Sequence, residues 1–284
     1  MAKPRRGGRR STASMYTNFP GGGSATPPPQ TQPNPPVDED EDEQTIDSSV
    51  SGEINQTLDD FRKMSPDQQA QVILDSQKEA PPSFLPDNPS QRFLWYIGGD
   101  DKPTILSDAQ MDALGGRDIY RQVAGIHDST LGTNLSSAHI ANQLMTGDFT
   151  QYAQDWGVGG GGTAWGRAIY FGARYSDTIT YYGTSRNIRG QQDSTAIRCQ
   201  IKKGAKGMSY GQLQSACQRE ISSGSKLGRA LRSIGNSDDR ETIYALAKGI
   251  DYSHDGSYDY HMIYNRRCLN ASSRTKHNPS DSHW

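Results

Sequence analysis

The run AIYFGARYSDTITYYG (Ala168 to Gly183) has residue types and spacing suited to gripping a flat heteroaromatic ring. A short strand ending at Tyr170 or Phe171, followed by a helix beginning near Ser176, presents Tyr170 and Tyr181 on opposite walls of one slot. Each stacking contact on such a ring contributes on the order of 1 kcal/mol. Thr178, in the first helical turn, can hydrogen-bond a carboxamide. A structural reading, with both tyrosines in the core and Ser176 capping the helix, accounts equally well for these residues alone.

Other chemistry is less well supported by the sequence. WGVGGGG satisfies G-x-G-x-x-G at Gly157, Gly159 and Gly162. A helical pattern rather than an apolar strand precedes it, and no Lys-Ser or Lys-Thr follows, so a glycine-rich turn is the better account. Cys199, Cys217 and Cys268 lack C-x-x-C spacing, and His127, His139, His254 and His261 lack a zincin pattern, so no metal is expected. No Gly-x-Ser-x-Gly elbow is present.

The signature run resembles that of the poly-ADP-ribosyltransferases, in which glycine, isoleucine, tyrosine, phenylalanine and alanine precede two alternate serines and a closing tyrosine. Laid on it without a gap, Tyr170 and Tyr181 take the places of the two nicotinamide-stacking tyrosines. Thr178 takes that of the serine that binds the amide, and Ser176 joins them in the NAD-binding set. DIYRQVAG (Asp118 to Gly125) resembles the family's first conserved strand. The resemblance implies that Arg121 holds the NAD phosphates or ribose, which suits a planar, permanently charged fork. It also puts Gln122 where glycine usually offers its backbone to the nicotinamide amide.

YDYHMIYNRRCL resembles the closing strand, where transferring members carry a glutamate near the start. Alignment puts Tyr260 at that position and a one-residue shift puts Asp259 there. A carboxylate supplies negative charge where positive charge develops, so Asp259 is the expected acid and Tyr260 the alternative. Side chains alternate across a strand, so the two do not share a face without a bulge. Glu241 and Asp251 are fallback acids, each expected at a helix surface or turn.

The elements that must position these residues belong to an α+β domain over residues 91–269. Runs such as RFLWYIGG, TAIRCQIKK and YDYHMIYNRR read as strands, and SDAQMDAL, SSAHIANQLM, GQLQSACQREI and DRETIYALAKG as helices. The absence of strict alternation favours a mainly antiparallel sheet. The resemblance implies the split sheet with flanking helices of the ADP-ribosyltransferase fold. Residues 53–90 read as a short helical adaptor with a proline-rich linker, where Ser65, Pro66 and Gln68 form a capping box. Residues 270–284 read as a flexible tail.

The chain has 284 residues, a formal net charge of -2 and only 32% hydrophobic residues, lean for one globule of that length. Residues 1–52 account for this: a basic start, a Pro/Gly-rich stretch and six consecutive acids (Asp38 to Glu43) lack the apolar surface to offset ordering entropy, so a disordered arm is expected. Neither a secretory signal nor a membrane span is read, so a soluble protein is expected.

Taken together, the expected reaction is transfer of ADP-ribose from NAD to a macromolecule, with a protein as the expected acceptor and a nucleic acid as the alternative. The pattern looks most like virion-associated transferases of bacteriophages, which implies a virion or host-cytoplasm location and an arm that meets a capsid protein. The alternatives are a catalytically inactive interaction protein of the same fold and an NAD glycohydrolase.

Overall fold

A computed structural model describes residues 57–81, 87–99, 102–128, 133–147, 167–179 and 189–278. The expected arm at 1–52, the glycine run at 157–162 and Tyr181 lie outside them. The chain divides between Ser48 and Ser49, and every described residue belongs to the second unit.

That unit is a mixed α/β structure. In chain order it contains α1 (Leu58–Lys63), α2 (Pro66–Ser76), α3 (Pro89–Tyr96), β1 (Thr104–Leu106), α4 (Asp108–Leu114), β2 (Asp118–Ala124), β3 (Ile126–Asp128) and β4 (Thr133–Leu135). Then follow α5 (Ser137–Thr146), β5 (Ile169–Gly172), α6 (Tyr175–Thr178), β6 (Ser194–Ile201), β7 (Gly207–Ser209), α7 (Tyr210–Ser222), α8 (Lys226–Ser233) and α9 (Ser237–Ala247). The chain closes with β8 (Tyr252–His254), β9 (Tyr260–Ile263), a 3-10 turn (Arg266–Cys268) and β10 (Leu269–His277).

The helices begin where short polar side chains satisfy free backbone N–H groups. Ser65, Ser107 and Ser209 each accept from the N–H three residues on, and Gln68, Gln110 and Gln212 close the reciprocal bond. The box read at Ser65 is therefore present, with Pro66 opening α2.

Eight strands form one sheet in the order β1-β10-β6-β2-β5-β9-β8-β7. β1 on β10 and β7 on β8 run parallel, and every other neighbouring pair in it is antiparallel. The two four-stranded halves meet at a single register pair, Tyr120 with Gly172. β3 and β4 form a separate ribbon.

Alternation along the strands creates two cores. Ile119 and Val123 of β2, Ile169 and Phe171 of β5, Ile197 and Cys199 of β6 and Ile263 of β9 pack with Ile140 and Leu144 of α5. On the other side, Tyr170 and Met262 pack toward a helical layer built from α1, α2, α3, α7, α8 and α9. Its centre includes Phe61, Ile73, Phe93, Leu213, Leu227 and Leu246. All three cysteines are free and buried, Cys217 in the helical core, Cys199 and Cys268 in the other.

α5 is held at both ends by charge complementary to its dipole. At its start Asp193 Oδ1 accepts from the Ser137 backbone N–H and hydroxyl. At its end the fully buried Arg266 donates to the Leu144 and Gly147 carbonyls, both at 2.9 Å.

Two expectations are corrected. RFLWYIGG is not a strand: Pro89–Tyr96 is α3, because Asn88 caps it and Pro89 suits its first turn. Phe93, Leu94 and Ile97 are buried on one face, a helical spacing that a run of apolar residues conceals. Nor is residue 270 the start of a tail. Residues Leu269–His277 form β10, which pairs with both β1 and β6 and buries Ala271 and Lys276 across a bulge. Residues expected as an adaptor also contribute to the helical core, through Leu58, Phe61 and Ile73.

Phe61 is fully buried and meets Phe93 edge-on at 4.9 Å. Phe61→Ala is expected to cost about 3–5 kcal/mol in denaturant unfolding, with one cooperative transition retained.

Candidate functional site

The site forms around the seam between β2 and β5. Beyond the pair Tyr120 with Gly172 these strands share no further register pair. There the buried Arg121 reaches across, its Nη1 donating 2.9 Å to the Tyr170 carbonyl. A guanidinium thus replaces part of the missing backbone ladder.

Register fixes which residues share a face. Tyr120 opposes Gly172, and Gly172 opposes Tyr260, so Tyr120, Tyr170 and Tyr260 lie on one face of their strands. Arg121, Phe171 and His261 belong to the other. Arg121 therefore meets Tyr170 through the backbone of β5, not through its ring. Tyr170 and Tyr260 are half-buried and pack against the helical core.

Gly172 allows close packing at the seam: a Cβ there would lie 3.2 Å from Thr178 Cγ2. Thr178 is buried beside it and donates its hydroxyl to the Tyr175 carbonyl at 2.7 Å. Ser176 is exposed in the same short helix and makes only a long contact to Asp177, 3.4 Å. It does not cap α6, whose N-cap position is Arg174. Gln122 is buried and donates to the Ser194 hydroxyl at 3.1 Å.

Asp259 and Tyr260 separate as alternation requires. Asp259 belongs to the β8–β9 turn, where its carboxylate accepts from Ser257 at 3.2 Å and its carbonyl from the Ala173 N–H at 2.8 Å. The turn strains at Tyr258, with φ +63°, and Tyr258 stacks on His254 at 3.8 Å. Tyr260, not Asp259, shares the face with Tyr170.

Both fallback acids are buried: Glu241 within α9 rather than on a helix surface, and Asp251 in the turn between α9 and β8, where a turn residue was expected. Asp251 accepts from Arg62 at 3.2 Å and Asn265 at 3.3 Å through Oδ1, and from the Lys206 N–H at 3.1 Å through Oδ2, which makes it a structural anchor. Glu241 accepts from the Tyr210 hydroxyl and from Gln214. Its burial holds its pKa above the usual carboxylate range. Tyr264 is pushed up as well, mainly by burial, with Tyr170 and Glu241 adding to the shift. Two buried polar pairs, Tyr210 with Glu241 and Ser253 with Tyr264, therefore lie in the helical core against which Tyr170 packs.

Sequence reasoning missed Tyr175 and Lys276. Tyr175 meets Tyr120 edge-on at 5.9 Å, and the buried Lys276 ammonium sits 4.9 Å from the Tyr175 ring centroid. Tyr175 was visible inside the signature run, but Lys276 fell in the expected tail. Among the described residues no group of three or more His, Cys, Asp and Glu side chains converges to hold a metal ion. No described helix is long and apolar enough to cross a membrane.

No family model, curated protein or solved structure matches the chain.

His261, opposite both Phe171 and His254, is buried with neither ring nitrogen hydrogen-bonded among the described residues. Burial, reinforced by Arg117, lowers its pKa to about 4 from 6.5. The folded protein resists the proton that the unfolded chain accepts, so His261 contributes stability above pH 6.5 that is lost as pH falls toward 4. The loss is at most about 3 kcal/mol. His261→Phe is expected to flatten unfolding free energy against pH over this window; identical slopes in both proteins would refute the assignment.

Proposed function

We propose that this domain binds NAD at the β2–β5 seam, cleaves the nicotinamide–ribose bond and transfers ADP-ribose to a macromolecular acceptor. The observation that carries the reading is that Tyr170, Thr178 and Tyr260 gather on one face of the sheet beside its break, while Arg121, from the other face, bridges the break to the Tyr170 carbonyl. They are among the residues that the family resemblance selects from segments far apart in sequence.

In this reading Tyr170 stacks on nicotinamide and the Thr178 hydroxyl, which has acceptor capacity beyond its bond to Tyr175, receives the carboxamide N–H. Arg121 serves the phosphates or ribose after exchanging its bond to the Tyr170 carbonyl. Tyr181 supplies the second stacking ring, and Ser176 borders the carboxamide. The bond between ribose C1′ and the nicotinamide nitrogen breaks with its electron pair leaving on nicotinamide. The acceptor then bonds C1′ and loses its proton. Tyr260, in the position of the family glutamate, donates its phenol to a ribose hydroxyl. Holding the reacting groups in a shaped pocket supplies much of the rate.

A second reading has its own observation. The Asp259 carboxylate is turned into the β8–β9 turn, so the face that holds Tyr170 gains no negative charge from it. That favours a protein that binds NAD without turning it over.

Incubating the full chain with labelled NAD and a lysate separates the outcomes. Label on macromolecules supports transfer, and free ADP-ribose supports hydrolysis. Calorimetric NAD binding without turnover supports the second reading, and neither binding nor turnover refutes both. Tyr170→Ala is expected to weaken NAD binding about fivefold or more, for the loss of a stacking contact on the order of 1 kcal/mol. Tyr260→Phe is expected to lower turnover with binding retained.

A further inference from the structure

A cleft of about 460 Å³ opens between the β6–β7 turn (residues 202–206), the end of α9 and the 3-10 turn before β10. None of the residues placed at the β2–β5 seam lines it. Its size is that of a small-molecule site. Its walls carry six cations, Arg62, Lys202, Lys203, Lys206, Lys248 and Arg267, against one acid, Asp251.

The negative groups nearby are already committed. Asp251 spends both carboxylate oxygens on Arg62, Asn265 and the Lys206 N–H. Lys248 pairs with Glu220 at 3.0 Å and Arg267 with Asp59. The last carbonyls of α9 are taken too: Tyr244 O by Lys248 N–H, Ala245 O by Ile250 N–H, Leu246 O by Arg62 Nε and Ala247 O by Gln69. The negative end of the helix dipole is thereby met from within the protein.

What remains is positive. Lys203 and Lys206 are exposed and make no ion pair among the described residues, and the Lys202 ammonium donates to the neutral Arg267 carbonyl at 2.7 Å. Gly204, at φ +92°, turns the backbone in the left-handed region, so one five-residue turn brings all three lysines to the cleft. Like charges gathered in a concavity raise the local potential for anions.

We infer that this cleft binds a small, multiply charged phosphate ligand. Concavity selects a compact anion over an extended duplex. Asp59 and Glu220, paired with cleft-lining cations, disfavour a polyanion running past it, as does a chain whose net charge is -2. The same chemistry occurs in free oligophosphates and in a nucleic-acid backbone, and the free oligophosphate is the assigned source.

Calorimetric titration of the full chain with tripolyphosphate tests this, with a single-stranded 12-mer oligonucleotide titrated in parallel. One tripolyphosphate is expected per chain. Lys203→Gln/Lys206→Gln should weaken it about tenfold or more, since charge-assisted hydrogen bonds to phosphate are lost, while Lys203→Arg/Lys206→Arg should bind nearly as the parent. Both side chains are exposed and make no side-chain bonds among the described residues, so matching melting curves are expected. The proposal is overturned if tripolyphosphate does not bind, or if the glutamine variant binds unchanged, which would place the anion elsewhere, the basic run at residues 3–10 included. Tighter binding of the oligonucleotide than of tripolyphosphate would overturn the assigned source.

Discussion

The β2–β5 seam is the constraint on which the rest of the structure turns. A continuous sheet would pair Arg121–Val123 with β5, whereas these strands part after Tyr120 and Gly172. Strand edges inside a protein must find other partners for their backbone groups. Here the partner at Tyr170 is a side chain, the Arg121 guanidinium. Because Gly172 lacks a Cβ, the short α6 folds back onto the opening, laying Thr178 against Gly172 and Tyr175 against Tyr120. The break is thus both a packing problem and the place where groups with hydrogen-bonding capacity gather.

The two halves of the sheet are kept in register with their surroundings by polar anchors as well as apolar packing. Asp193, just before β6, and Arg266, in the 3-10 turn between β9 and β10, fix α5 at opposite ends. Gly125 belongs to the same arrangement, since a Cβ there would collide with the Asp193 carboxylate. Asp251 plays the corresponding part for the helical layer, tying Arg62 of α1 to the β6–β7 turn and to Asn265. Buried charges of this kind hold geometry only while their partners stay in place.

Much of this was legible in the sequence where local chemistry and pattern agree. The cap at Ser65 follows from serine and glutamine three residues apart, a spacing that Ser107 and Ser209 share, and β6 from its apolar, β-branched run, whereas β2 stood out by resemblance alone. α3 was misread because Phe93, Leu94, Trp95 and Tyr96 form an unbroken apolar run that carries no period. β10 was missed because Asn270, Ser272, Ser273 and Arg274 read as a polar tail, while what makes it a strand is pairing with β1 and β6. At the candidate site, alternation foretold that Asp259 and Tyr260 would face apart, but not which would join Tyr170. That depends on the β5–β9 register, a long-range property. The burial of Glu241 was likewise invisible, because its neighbours Tyr210 and Gln214 lie on another helix.

The three cysteines give the fold a built-in set of reporters. Burial raises the thiol pKa values of Cys199 and Cys217, so the reactive thiolate is suppressed in the closed protein and alkylation requires opening. Cys217 belongs to the helical core, whereas Cys199 and Cys268 belong to the core under α5. The order in which the thiols become reactive under mild denaturant therefore tells whether the layers on the two faces of this sheet come apart together or one before the other.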